Sequence, residues 1–331
     1  MKYYIKKVAE PPVYSELTDW KPKKWAVFGA SGFVGKNIVR ELTQAGIEVV
    51  AISAPRMSLL NEQPTTQSVI EAAQTSSVVH DLAMKVKGVD VIVNAAGLAK
   101  PDSGDFNALL GANALLPTVL AMASAEAGVG RLIQLSSAAV QGEKETLDDT
   151  AEVAPFSPYS FSKALGELSL IELIHSNLAC RVLIVRATSV QGIGRQTTES
   201  LKKFSKSCLA SVAFPADQPT VVSSVTSLSC FVRMVGTFSG AMSPIQLQPW
   251  EGLTTLQVLE LAGGKRPLIL PNRVCKSLVW GGKWIGAMFP RIAGPVRRAE
   301  VTWFGQHQES FGVRVPFSSN PTLIRQILQE S

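Results

Sequence analysis

Cysteine and histidine are scarce in this 331-residue chain. Cys180, Cys208, Cys230 and Cys275 lie far apart and form no CxxC pair. A disulfide framework and a zinc ribbon are therefore not expected, and the usage fits a reducing compartment. His80, His175 and His307 are equally scattered, which leaves a His-based metal site almost nothing to work with. Charged residues make up only 18% against 46% hydrophobic, the balance of a packed chain and not of a disordered one. No uninterrupted apolar run reaches the roughly 18 residues of a bilayer-spanning helix. The opening MKYYIKKVAEPPVYSELTDWKPKK has a charge or proline every few positions and lacks the apolar stretch of a secretory signal. Residues 1–23 read as a partly ordered leader, and the expected location is cytoplasmic.

Charge is unevenly spread. Residues 1–180 hold 15 Lys+Arg against 19 Asp+Glu, a net of −4, whereas residues 181–331 hold 17 against 7, a net of +10. A basic C-terminal half points to an anionic partner or, equally, to a solvated basic surface. The cations form no dense run and are not interleaved with aromatics, so nucleic acid is not expected as a partner. The expected partner is an anionic small molecule, and a homodimer is left open.

Short β-branched runs alternate with helical patterns through the first half, the signature of a parallel sheet with crossover helices. Strands are predicted at Trp25–Phe28, Glu48–Ile52, Val78–Val79, Asp90–Asn94, Arg131–Leu135 and Arg181–Val185, with helices over 32–45, 107–127 and 159–176. Beyond about residue 190 the alternation fades into shorter, Pro- and Gly-punctuated pieces, with the strand Pro219–Ser223 expected to return to the main sheet. The predicted fold is α/β: a Rossmann-type doubly wound parallel sheet over 24–192, with a smaller mixed α/β substrate lobe over 193–331.

Directly after the first strand comes Gly29-Ala30-Ser31-Gly32-Phe33-Val34-Gly35, opening a helix. In that setting the three glycines serve a tight turn, close approach of a pyrophosphate, and close helix–strand packing. The helix N-terminus offers N–H groups and dipole to the phosphates. The acidic residue that grips the ribose hydroxyls of NAD about 20 residues on is missing. The second strand ends Ala51-Ile52-Ser53-Ala54-Pro55-Arg56, where Ser53 and Arg56 suit a 2′-phosphate. NADP is expected in preference to NAD.

Further motifs follow in order: His80-Asp81-Leu82; Asn94-Ala95-Ala96-Gly97 ending a strand; Asn113 and Thr118 in a helix; Ser136-Ser137 ending the next strand; Tyr159-x-x-x-Lys163; and Arg186 to Gly192 after the strand beyond. Together with GASGFVG they resemble the extended short-chain dehydrogenase/reductase family, the NAD-dependent epimerase/dehydratase group, from the Gly-rich turn to about residue 192. The resemblance implies an adenine contact at Asp81-Leu82, cofactor contacts at Asn94, Ala95, Ala96, Gly97, Asn113 and Ser189, and a nicotinamide-ribose contact from Lys163.

The chemistry also stands without the resemblance. Tyr159 and Lys163, four apart, share a helix face. A nearby ammonium lowers a tyrosine pKa from about 10 toward the range useful for proton transfer. Ser137 is expected to hold a substrate hydroxyl or carbonyl against Tyr159. Two positions depart from the family: Gln141-Gly142 stands where Tyr-Gly is common, and Ser189 where nucleotide-sugar epimerases commonly have asparagine. Lys100 is a candidate substrate contact, and Arg297 with Arg298 are candidates to grip a diphosphate. The segment Lys276–Phe289 reads as an apolar helix lining the substrate lobe, with a membrane or lipid-like ligand as the alternative. The expected function is an NAD(P)-dependent oxidoreductase or epimerase acting on a nucleotide-activated sugar. The alternatives are a reductase or dehydrogenase of a sterol, flavonoid or lipid-like alcohol, and a non-catalytic NADP-binding regulator or assembly factor.

Overall fold

The computed structural model describes residues 8–61, 63–98 and 105–330. β1 (Lys24–Phe28) leads through α1 (Phe33–Gln44) to β2 (Glu48–Ile52), α2 (Thr66–Gln74), α3 (Val78–Lys85) and β3 (Val91–Asn94). Next, α4 (Phe106–Leu110), a π-helical turn (Gly111–Leu115) and α5 (Leu116–Glu126) follow without a break. β4 (Arg131–Ser137), β5 (Thr146–Leu147), α6 (Pro158–His175) and β6 (Arg181–Ala187) complete the first half. The remainder comprises β7 (Ser189–Gln191), α7 (Gln196–Lys206), β8 (Ser211–Ala213), β9 (Val222–Ser224), α8 (Val225–Thr237) and β10 (Ile245–Leu247). It closes with α9 (Thr255–Gly263), β11 (Leu268–Leu270), α10 (Asn272–Met288), α11 (Pro290–Phe304), β12 (His307–Gln308) and α12 (Pro321–Gln329).

Six strands form one parallel sheet in the order β10-β6-β4-β3-β1-β2. The middles of its inner strands are apolar runs, such as Trp25–Phe28, Val91–Val93 and Val182–Val185, because helices cover both faces. Alternate side chains divide between two cores. Trp25, Val27, Val91, Val93, Ile133 and Leu183 pack toward α1 and α8. Ala26, Phe28, Ile92, Leu132 and Val182 pack toward α2, α3, α5 and α6. Phe106–Glu126 is long and apolar enough, by length and composition, to cross a bilayer, yet 78% of its most apolar window lies buried inside the protein.

Three details differ from the sequence expectations. Val78-Val79 opens α3 instead of forming a strand, because Leu82, Ala83 and Val86 continue a helical apolar stripe into the core. β9 does not return to the main sheet but pairs with β7, and β10 is the late segment that joins the sheet, beside β6. The described part of the leader is packed: Tyr14 exchanges hydrogen bonds with the Val182 backbone, and Trp20 lies over the Arg131 guanidinium at 4.8 Å.

Candidate active site

β2 and β3 lie on opposite sides of β1. Beyond the carboxyl ends of β1 and β3, where the order reverses, doubly wound folds have a ligand crevice. The Gly-rich turn sits there. Gly29 has a left-handed φ of 77°, and a Cβ on it would come within 2.7 Å of the Ala96 nitrogen. A Cβ on Gly35 would lie 2.1 Å from the Gly29 carbonyl oxygen. The chain's own backbone therefore requires these two glycines. Gly32 differs: a Cβ there would meet only the Gly29 oxygen, at 3.2 Å. The space in front of Gly32 is open, and Gly32 caps α1 without any side-chain acceptor. An uncapped helix start facing open space has free N–H groups for phosphate, so Ser31, Gly32, Phe33, Val34 and Gly35 fit a dinucleotide. Ser53 and Arg56, both exposed, follow β2.

On the other side of the crevice stands α6. Ser157 and Ser160 cap its first turn reciprocally and Pro158 starts it, which sets Tyr159 at the helix entrance and Lys163 one turn further in. Ser137, the last residue of β4, accepts from the Ala139 nitrogen at 3.2 Å and lies close enough to the Tyr159 phenol to pull its pKa down. Burial pushes the phenol above its usual pKa, opposed by Ser137 and by the Arg195 guanidinium. The sequence reading has Lys163 tuning the tyrosine; the groups that act on the phenol here are Ser137 and Arg195. The Lys163 side chain runs inward instead and donates to the Leu135 carbonyl at 3.2 Å. Burial holds its own pKa down to about 8, against a smaller upward pull from Glu167. Lys163 also stands directly beside Gly97.

Arg195 is a site residue that the sequence reading missed. It lies at the start of α7, with its guanidinium over the Phe33 ring at 5.4 Å and donating to the Val190 carbonyl. It thereby links the Gly-rich turn to the tyrosine. No motif marks it, because its place depends on the turn that brings residues 192–195 back over Phe33.

Several expected ligand contacts have other jobs. Asn94 donates to Gln134 at 2.7 Å and accepts from the Ala96 nitrogen at 3.1 Å, so it shapes the Ala95-Ala96-Gly97 turn. Asn113, fully buried in the π turn, spends its amide on both backbone groups of Leu98 and on the Ser162 hydroxyl. Asp81 is exposed mid-helix and Leu82 is core. Ser189 is exposed, its hydroxyl accepting from Gln191. Arg297 bonds the Gly142 and Lys144 carbonyls and Glu300, which occupies the donors a diphosphate would need. Arg298 is exposed on α11. Lys100 lies outside the described residues.

Residues 25–227 match the NAD dependent epimerase/dehydratase family. The chain belongs to that family. It is 28% identical over 173 residues to the UDP-glucose 4-epimerase of Azospirillum brasilense, covering 50% of this chain and 49% of the relative. It is 27% identical over 177 residues to the sterol-4-alpha-carboxylate 3-dehydrogenase (decarboxylating) of Dictyostelium discoideum, covering 50% and 52%. The chain thus spans about half the length of the curated relatives it matches. Among solved structures, MoeE5 in complex with UDP-glucose and NAD aligns at a TM-score of 0.57 and 17% identity, over 92% of this chain and 96% of that one. The dTDP-4-dehydrorhamnose reductase of Bacillus anthracis in complex with NADP aligns at 0.52 and 18%, over 76% and 84%. At these identities the structural likeness establishes the fold.

Proposed function

We propose that the protein is an NAD(P)-dependent oxidoreductase or epimerase that interconverts a secondary alcohol and a ketone on a nucleotide-activated sugar, of the 4-keto reductase or 4-epimerase type. The observation that carries this reading is the grouping of Ser137 and Arg195 about the Tyr159 phenol, with the Arg195 guanidinium over Phe33 at the uncapped start of α1. A bound nicotinamide dinucleotide supplies hydride exchange with the substrate carbon. The chain's own residues do the rest. Backbone N–H groups of the Gly-rich turn bind the pyrophosphate, and Lys163 reaches the nicotinamide ribose. Ser137 orients the substrate oxygen, and Tyr159 moves the proton at that oxygen. With its pKa raised, Tyr159 holds its proton at neutral pH, the form that donates to a ketone. NADP is favoured over NAD because no carboxylate follows β2 and Arg56 is exposed there. A nucleotide sugar is supported by the likeness to the UDP-glucose 4-epimerase, while the likeness to the sterol-4-alpha-carboxylate 3-dehydrogenase makes hydrophobic ketones the proper contrast.

The test is turnover on a panel of UDP- and dTDP-linked sugars and keto-sugars, with hydrophobic ketones as the contrast. Tyr159→Phe keeps the ring but removes the mobile proton, so turnover should fall by roughly 10²–10⁴ with dinucleotide affinity unchanged. A folded Tyr159→Phe protein working at the wild-type rate would overturn the assignment. Preference for the hydrophobic ketones would move the substrate to the lipid-like class.

A further inference from the structure

The segment expected to line the substrate lobe does the opposite. On α10, one narrow side packs on α11: Cys275 and Val279 are buried, and Gly282 lies so close to Val296 that a Cβ there would be 2.9 Å from its Cγ2. The broad remaining face is apolar and open to solvent. Trp280 is 68% exposed, Trp284 65% and Met288 67%, and Val274, Leu278, Ile285 and Phe289 are each about half exposed or more. The two tryptophan rings lie 6.2 Å apart. Burial elsewhere removes such side chains from water, and exposed apolar clusters of this kind mark interaction surfaces.

Charge identifies what the face would meet. From residue 261 to residue 299 the sequence has eight basic residues, Lys265, Arg266, Arg273, Lys276, Lys283, Arg291, Arg297 and Arg298, and no acidic one. Glu300, just beyond, is shared by Lys283 and Arg297. Arg273, Lys276 and Arg298 are exposed. A cationic hairpin with an apolar face rich in tryptophan suits the headgroup boundary of a bilayer, where indole rings settle and Lys and Arg meet anionic lipid. A protein partner of the same complementarity would need an acidic and apolar surface together, whereas an anionic bilayer presents both at once.

We propose that the outer face of the α10–α11 hairpin docks the protein on the surface of an anionic lipid bilayer. The apolar face enters the interface and the flanking cations contact lipid phosphates. The contact is peripheral: α10 lies along the surface and does not cross it. Nothing in this inference depends on the chemistry at Tyr159.

The full chain is sedimented with vesicles of neutral phosphatidylcholine and with vesicles containing roughly one third anionic phosphatidylglycerol. Binding is expected to the anionic vesicles only, and to weaken as salt is raised. Two double variants separate the contributions, W280S/W284S and R273E/K276E. Each changes exposed side chains outside the crevice, so melting temperature and dinucleotide binding should stay at wild-type values. Each should lower the vesicle partition coefficient by about tenfold or more. Equal binding to neutral and anionic vesicles, or wild-type partitioning by the folded W280S/W284S protein, would overturn the proposal. So would a wild-type dimer that W280S/W284S dissociates while neither protein binds vesicles, which would give the face to a second copy of the chain.

Discussion

The site depends on which polar groups are already spoken for. Tyr159, Ser137 and Lys163 stood out in the sequence because helical spacing and a strand end bring them together. Asn94, Asn113 and Arg297 look equally suited to ligands, yet their donors are taken up inside the protein, Asn94's by the Gln134 side chain, Asn113's by the Leu98 carbonyl and the Ser162 hydroxyl, and Arg297's by two carbonyls and Glu300, something residue type alone does not reveal. Lys163 supplies a pH prediction. Its proton is held only below about 8, so kcat/KM, which reports the free enzyme, should fall as pH rises through that value. A profile flat from pH 7 to about 9 would remove the need for the Lys163 cation. The unfolded lysine keeps its proton up to 10.5, so the neutral form's advantage is full above that pH and is lost as pH falls through about 8. Lys163→Met should therefore raise the melting temperature at pH 7 while abolishing turnover, a trade of stability for function. Arg195 makes a separate prediction. Because its guanidinium pulls the Tyr159 phenol down, Arg195→Gln should move the Tyr159 step of a tyrosinate absorbance titration to higher pH. Arg195→Lys should restore most of the shift, and an unmoved step would place the charge elsewhere.

Among the elements, α6 and the π turn matter most. Asn113 ties the turn to Leu98 and, through Ser162, to the first turn of α6. Close packing makes this possible: a Cβ on Gly166 would lie 2.2 Å from the Asn113 carbonyl oxygen. Backbone cannot rotate away as a side chain can, so Gly166→Ala should destabilise by about 1–3 kcal/mol. It should also misalign Tyr159, so that kcat falls more than a stability loss alone explains. Denaturant unfolding alongside turnover checks both. Sequence periodicity foretold β1, β2, β3, β4, β6 and α6 because a two-sided parallel sheet writes its burial as apolar runs. It failed at Val78-Val79, where two β-branched residues mimic a strand although the apolar stripe continues at helical spacing through Val86. It also failed at α10. An apolar helix reads the same whether its face is buried or exposed, and only the packing of Cys275, Val279 and Gly282 on α11 separates the two.

At the scale of the whole molecule, one parallel sheet places the start of α1, the end of β4 and the start of α6 around a single crevice. The central claim is that this crevice binds a nicotinamide dinucleotide through the open approach at Gly32. Calorimetric titration of NADPH and NADH into wild type and Gly32→Asp tests it most directly. Gly32 has an ordinary φ of −74°, and an aspartate Cβ there would meet only the Gly29 carbonyl oxygen, at 3.2 Å, so the turn need give by only a few tenths of an ångström, and the melting temperature of the variant checks that it does. The aspartate carboxylate would project toward the phosphate position, where like charge repels. Wild type should bind NADPH more tightly than NADH, and the folded Gly32→Asp protein should bind neither. NADPH affinity retained by the folded variant would contradict the account.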